Sequence, residues 1–174
     1  MLYEKLRSVY GKEIYKSEQN IYQTSREELG LTRDQASELI GCISADRIEK
    51  IESEKSLPHP DEILAIAKAY KMPNLCNYFC SHECPIGIKH VPSVEMKALS
   101  QITLEVIDGL NKINKEKERL IEITVDGQIS EDEFEDFKII QLQLRDIANN
   151  VDALKLWVEK TIADGKIDTK KWSD

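Results

Sequence analysis

Apolar residues recur along this chain at spacings of three and four, the period of an α-helix, and scarcely anywhere alternate as a strand would. Four segments follow from that pattern. Residues 1–20 scatter Leu2, Leu6, Val9 and Ile14 among polar neighbours and read as an N-terminal arm that docks on a neighbouring element. Residues 21–73 hold a run of short helices separated by cap and turn residues. Ser25-Arg26-Glu27-Glu28-Leu29 closes at Gly30, a residue able to take positive φ at a helix C-terminus. Thr32, with Gln35 three positions on, is a capping-box pattern and starts a second helix, which turns Ala36, Leu39 and Ile40 inward and stops near Gly41. Ser44 caps a third helix, Ala45 to Ser53, with Ile48 and Ile51 inward. After Pro58-His59-Pro60 a fourth helix, with Pro60 at its first position, presents Ile63, Leu64, Ile66, Ala67 and Tyr70 to a core.

Residues 74–92 form a cysteine-containing helix and linker that ends in Pro85-Ile86-Gly87 and Val91-Pro92. Residues 93–174 show two long stripes. Leu99, Ile102, Val106, Leu110, Ile113, Leu120 and Ile123 make the first; Phe134, Phe137, Leu144, Ile147, Val151, Leu154, Val158 and Ile162 make the second. Each predicts a helix of roughly 45–50 Å at about 1.5 Å per residue. Asp126-Gly127 supplies the turn between them, and Ser130 with Glu133 a capping box for the second. Matched lengths and a short connection predict an antiparallel, coiled-coil-like hairpin. Two helices alone leave part of such stripes uncovered, which points to a homodimer built on the hairpin.

Composition narrows the class. The 174 residues, 41% hydrophobic and 32% charged, suit one or two small soluble domains. No run approaches the roughly 18 apolar residues of a membrane span. The opening Met1-Leu2-Tyr3-Glu4-Lys5-Leu6-Arg7 has no uninterrupted apolar segment of the secretory kind, so a cytoplasmic location with reduced thiols is expected. Net charge is −8, unevenly spread: residues 93–174 carry 12 Lys or Arg against 18 Asp or Glu, residues 1–92 carry 12 against 14. The acidic C-terminal half is a poor nucleic-acid surface and a candidate surface for a protein partner.

The run Ser25-Arg26-Glu27-Glu28-Leu29-Gly30-Leu31-Thr32, then Glu38-Leu39-Ile40-Gly41, then Ile48-Glu49-Lys50-Ile51-Glu52-Ser53 and Pro58, resembles the lambda-repressor-like (Xre, Cro/cI-type) helix-turn-helix domain. The resemblance covers residues 21–73, just under a third of the chain. It implies an all-α protein whose N-terminal five-helix domain precedes the hairpin, with the third helix docking in the major groove of double-stranded DNA and a homodimer on a two-fold site. The implied function is that of a sequence-specific transcriptional regulator. Arg33, at the start of the second helix, is placed to hold a backbone phosphate. Ser44, Ala45, Asp46, Arg47, Glu49 and Lys50 lie on or beside the outward face of the third helix; Arg47 is the candidate for a guanine edge and Lys50 for a phosphate. Lys55, in the next loop, is a further backbone contact. Three features depart from the family pattern. The turn Gly41-Cys42-Ile43-Ser44 is one residue longer than usual, Arg33 stands where the family has Gln, and Asp46 and Glu49 put carboxylates on the reading face. From Arg26 to Lys71 seven basic residues face ten acidic ones. A competing reading is a helix-turn-helix fold used as an adaptor for protein, such as an antirepressor or a toxin partner.

Cys76, Cys80 and Cys84 recur every four residues, which on a regular helix aligns three thiols on one face. With His82, His90 or Cys42 they are candidate ligands for zinc or an iron–sulfur cluster in a metal- or redox-responsive regulator, although the spacing is not that of a zinc knuckle. With no metal, the segment is a small apolar helix with buried thiols. Residues 122–133 echo a calcium loop, but Glu122 and Thr124 stand where its first and third ligands belong, and a helix-to-helix turn explains the same residues. Glycine-rich phosphate loops, nucleophile elbows and His-Glu-x-x-His are absent from the sequence, so an enzyme is not expected.

Overall fold

The computed structural model describes residues 20–168, so the expected N-terminal arm lies outside the described residues. The fold is all-α, with no strand among the described residues. Two compact units divide between Tyr70 and Lys71, three residues before the boundary expected at 73, and residues 74–92 group with the hairpin.

The first unit holds α1 (Ile21–Glu28), α2 (Arg33–Ile40), α3 (Ala45–Glu52) and α4 (Pro60–Tyr70). Local chemistry sets each boundary. Asn20 Oδ1 accepts from the Tyr22 N–H at the start of α1. Both halves of the Thr32–Gln35 capping box form, and Ser44 accepts from the Arg47 N–H to cap α3. Gly30 and Gly41 take positive φ, +68° and +80°, where a side chain would be strained. The core contains Tyr22, Ala36, Ile43, Ile48, Ile51, Ile63, Ile66, Ala67 and Tyr70. Each of its buried isoleucines contributes roughly 1.5–3 kcal/mol relative to an exposed one.

Leu39 and Leu64 are exposed rather than inward, at 53% and 63%. On α4 the buried positions Ile63, Ile66, Ala67 and Tyr70 already fill one face, and Leu64 sits about 100° round from Ile63. On α2 the inward side is Ala36 flanked by half-buried Arg33, Ser37 and Ile40, which leaves Leu39 on the far flank of Ala36. Ser37 Oγ donates to the Ile43 carbonyl at 2.7 Å, on the flank of Ala36 opposite Leu39.

In the second unit α5 (Asn74–Tyr78) runs directly into a π-helical turn, Phe79–Glu83, followed by α6 (Gly87–His90). Leu75 and Phe79 are buried there. Gly87 lies against the Cys80 carbonyl so closely that a Cβ would fall 2.0 Å from its oxygen; only glycine fits. The Asn77 amide donates to the Pro92 carbonyl and accepts from the Val94 N–H, fixing the segment that leads to the hairpin.

The hairpin is α7 (Leu99–Thr124) packed on α8 (Phe134–Ala163). With 26 and 30 residues they span about 39 and 45 Å, and α7 falls short of the expected length because it begins only at Leu99. Gly127 turns the chain at φ +73°. The expected Ser130–Glu133 box is not reciprocal: Glu133 accepts from the Ser130 N–H, but the Ser130 hydroxyl also points to Glu133, and α8 starts only at Phe134. The inward series of α7 is Ile102, Val106, Gly109, Ile113, Glu116, Leu120 and Ile123, all buried or half-buried and spaced alternately four and three. That is a 3.5-residue period. Leu99 and Leu110, expected inward, are exposed, and Gly109 takes the closest approach. A Cβ on Gly109 would lie 2.8 Å from Ile147 Cγ1, so the missing side chain lets the two helices meet.

Candidate nucleic-acid interface

Two ion pairs hold the helix-turn-helix together, and neither was anticipated as such. Glu52, at the C-terminal end of α3, is 4% exposed and accepts from Arg26 through Nε at 2.6 Å and Nη2 at 3.0 Å. Arg26 also donates to the Leu31 carbonyl at 2.6 Å, and Arg33 Nε reaches Glu52 Oε2 at 2.8 Å. One carboxylate therefore joins α1, the start of α2 and the end of α3. The Glu52 bond raises the Arg26 pKa above its ordinary value, and the nearby Tyr70 phenol is pushed up to about 12, first by burial and then by the Glu52 charge. The signal was present in the periodicity. Tyr22, Ser25 and Arg26, like Ile48, Ile51 and Glu52, sit at i, i+3, i+4, so opposite charges occupy inward positions of two helices.

The second pair changes the reading face. Arg47 does not project outward. Its guanidinium lies on Glu62 of α4 at 2.7 and 2.6 Å, donates to the Leu57 carbonyl at 2.9 Å, and touches the Ser56 hydroxyl. Glu62 also accepts from the His59 N–H at 2.7 Å. The Arg47 bond holds the Glu62 carboxyl below the usual glutamate range. An arginine with these partners is a clasp between α3 and α4, and the base-edge role expected of it conflicts with that geometry.

The remaining expected residues stay at the surface. Ser44, Asp46 and Lys50 are exposed, and Ala45 and Glu49 half-buried, around the outward side of α3. Arg33 sits at the first position of α2 with a side chain 41% exposed, so its guanidinium is anchored on Glu52 yet open to solvent. Lys55 pairs with Glu49 at 2.6 Å, and that bond lowers the Glu49 pKa. Lys50 makes no close ion pair among the described residues, although its charge also helps to lower the Glu49 pKa. Arg33, Ser44, Asp46, Glu49, Lys50 and Lys55 thus stay at least partly exposed, whereas Arg47 is held by Glu62.

The cysteines do not converge. Cys76 lies in α5, Cys80 in the π-helical turn, and Cys84 past its end in extended backbone at φ −78° and ψ 121°. The π turn breaks the 3.6-residue register that would have aligned three thiols. No group of three or more His, Cys, Asp or Glu is placed to hold a metal ion among the described residues. Burial, and then the neighbouring Cys80, push the Cys76 thiol up, away from the reactive thiolate. His82 stacks on Tyr78 at 4.5 Å and its Nδ1 lies 2.8 Å from the Ser81 hydroxyl, while Cys42 and His90 are exposed elsewhere. In the calcium-like stretch, Asp126 accepts from the Gln128 N–H in a local turn.

Among the described residues no helix is long and apolar enough to cross a membrane. No curated protein and no solved structure matches the chain significantly. Residues 24–73 match the family model described as Helix-turn-helix, the same stretch that carries α2, the Gly41 turn, α3 and both ion pairs. Residues 24–73 are therefore a helix-turn-helix domain of the lambda-repressor-like, Xre type.

Proposed function

We propose that the protein is a sequence-specific transcriptional regulator that binds double-stranded DNA as a homodimer. The observation that carries this reading is the capped α2–Gly41–α3 unit within the matched family segment, held by the Arg26–Glu52 pair. Such a unit is built to seat α3 in a major groove. Arg33 and Lys55 would meet phosphates, exchanging their carboxylate partners for the backbone, and Lys50 would do so unpaired. Ser44, Ala45, Asp46 and Glu49 would face base edges, the carboxylates accepting from cytosine amino groups. Dimerisation is supported by the uncovered apolar side of the hairpin. On α7, Leu99, Ile107, Leu110 and Ile121 are exposed, and on α8 Leu144, Val151 and Leu154. These lie beside the seam between the helices, where a second hairpin would complete a four-helix bundle.

A second reading has its own support: Arg26, Arg33, Arg47 and Lys55 are all ion-paired within the domain, while Asp34, Glu38 and Asp46 stay exposed. A surface so neutralised suits a basic protein partner. Selection of bound duplexes from a random pool tests the two. Enrichment of a two-fold symmetric motif, with affinity falling steeply as salt rises, is the expected result. No enrichment from a folded dimer would favour the adaptor.

A further inference from the structure

We infer that Asp46 and Glu49 make cytosine the base read by α3, each carboxylate accepting from the N4 amino group of one cytosine at two neighbouring base pairs of a half-site. This assignment rests on the DNA-binding reading above and names the bases that the face selects. Asp46 and Glu49 stand at i and i+3, so they share one side of α3, with Cβ atoms about 5–6 Å apart. Base pairs rise about 3.4 Å along a strand, so two carboxylates at that separation reach neighbouring pairs rather than one. Asp46 is exposed and makes no ion pair among the described residues. Glu49 gives Oε1 to Lys55 at 2.6 Å, which leaves Oε2 for a base.

Packing decides which groups are left to read a base. Arg47, the side chain suited to the two acceptors of a guanine edge, is held by Glu62 and the Leu57 carbonyl. Lys50 sits in the last turn of α3, farther from the N-terminal residues through which such a helix meets bases. What remains nearer that end is a pair of acceptors. A carboxylate is repelled by guanine O6 and N7 and by thymine O4, which are acceptors too. Adenine offers an N6 amino group but sets its N7 lone pair beside it. Cytosine alone presents an amino donor with no acceptor next to it. The Lys55 bond first, and the charges of Arg33 and Lys50 after it, favour the ionised form of Glu49. A purely structural role, with Asp46 complementing the positive end of α3 and Glu49 tethering Lys55, would give neither residue any influence on base choice.

Selection from a random duplex pool, run with the full chain and with two variants, tests this. The wild-type motif should hold cytosine at two neighbouring positions of each half-site. Asp46→Asn should move one of them to adenine and Glu49→Gln the other, because a side-chain amide pairs with adenine N6 and N7 together. On matched duplexes that differ at that one base pair, each variant should reverse a preference of about fivefold or more. Both substitutions conserve shape, and Asp46 is exposed, so at least that variant keeps the fold. Asp132→Asn, in the turn between α7 and α8, should leave the motif as it is. A wild-type motif without the paired cytosines, or variants that change affinity but not base, would overturn the cytosine assignment and leave the DNA-binding reading standing. No motif from the wild type would overturn both.

Discussion

Arg47 and Glu62 form a two-point ion pair across 15 residues, with Nε 2.7 Å from Oε1 and Nη2 2.6 Å from Oε2. The same guanidinium donates to the Leu57 carbonyl, and the same carboxylate accepts from the His59 N–H. Together they hold α3, the following loop and the start of α4 in one arrangement. Arg47→Ala is expected to lower stability by about 1.5–3 kcal/mol, the range for hydrogen bonds to a charged group. It should weaken binding to specific and random duplexes alike, because the loss is one of rigidity in α3. Urea denaturation paired with binding to both duplex types checks this. Relaxed sequence preference at unchanged stability would mean that Arg47 leaves Glu62 on DNA.

The pair also predicts a pH dependence. The folded Glu62 carboxyl titrates below its ordinary value of 4.5, so its stabilisation is complete above about pH 4.5 and is lost as pH falls through the lower folded value. Glu62→Gln should remove that step from a plot of urea midpoint between about pH 6 and pH 3. Glu49, also lowered but more exposed, should contribute little in comparison.

Glu52 is the more sensitive position. Glu52→Ala leaves the Arg26 guanidinium buried without its carboxylate, and a broken buried pair costs about 3–5 kcal/mol. The double variant Arg26→Met, Glu52→Leu should recover most of that loss, since it removes both charges from the interior. A double variant as unstable as Glu52→Ala would mean that shape, not charge balance, limits the site.

At the hairpin, Gly109→Leu should destabilise by about 1–3 kcal/mol through overpacking against Ile147. Ile147→Ala in the same chain should restore part of it. Thermal melts of the two single variants and the double measure the coupling directly.

For the proposed dimer, Leu110→Glu with Leu144→Glu is expected to convert the protein to a folded monomer in sedimentation, because both positions are already exposed in one chain. Helical content should stay unchanged, and affinity for a two-fold DNA site should fall steeply. A variant that still sediments as a dimer would place the interface elsewhere.

Much of the fold was legible because short-range chemistry sets it. Thr32 with Gln35, Ser44, Gly30 and Gly41 act within a few residues of themselves, so their patterns mark helix ends whatever packs around them. The acidic character of α3 was equally visible. Leu39, Leu64 and Leu110 were misplaced because an apolar residue fixes a helix face only to within an arc; the neighbouring element selects which part of that arc it covers. Gly109 carried no apolar signal at all, yet it marks the closest helix contact, where absence of a side chain is what packing requires.

The helical class, the order and approximate ends of the helices, and the position of the helix-turn-helix all follow from local pattern along the chain. Caps, turns and 3.6-residue periodicity are properties of neighbouring residues. Packing in three dimensions sends Arg47 to Glu62 of α4, gathers two arginines on Glu52, and parts the three cysteines at a π-helical turn. Each of those outcomes depends on groups far apart along the chain, or on a local change of helical register. A long charged side chain goes to whichever opposite charge the packed helices bring within reach.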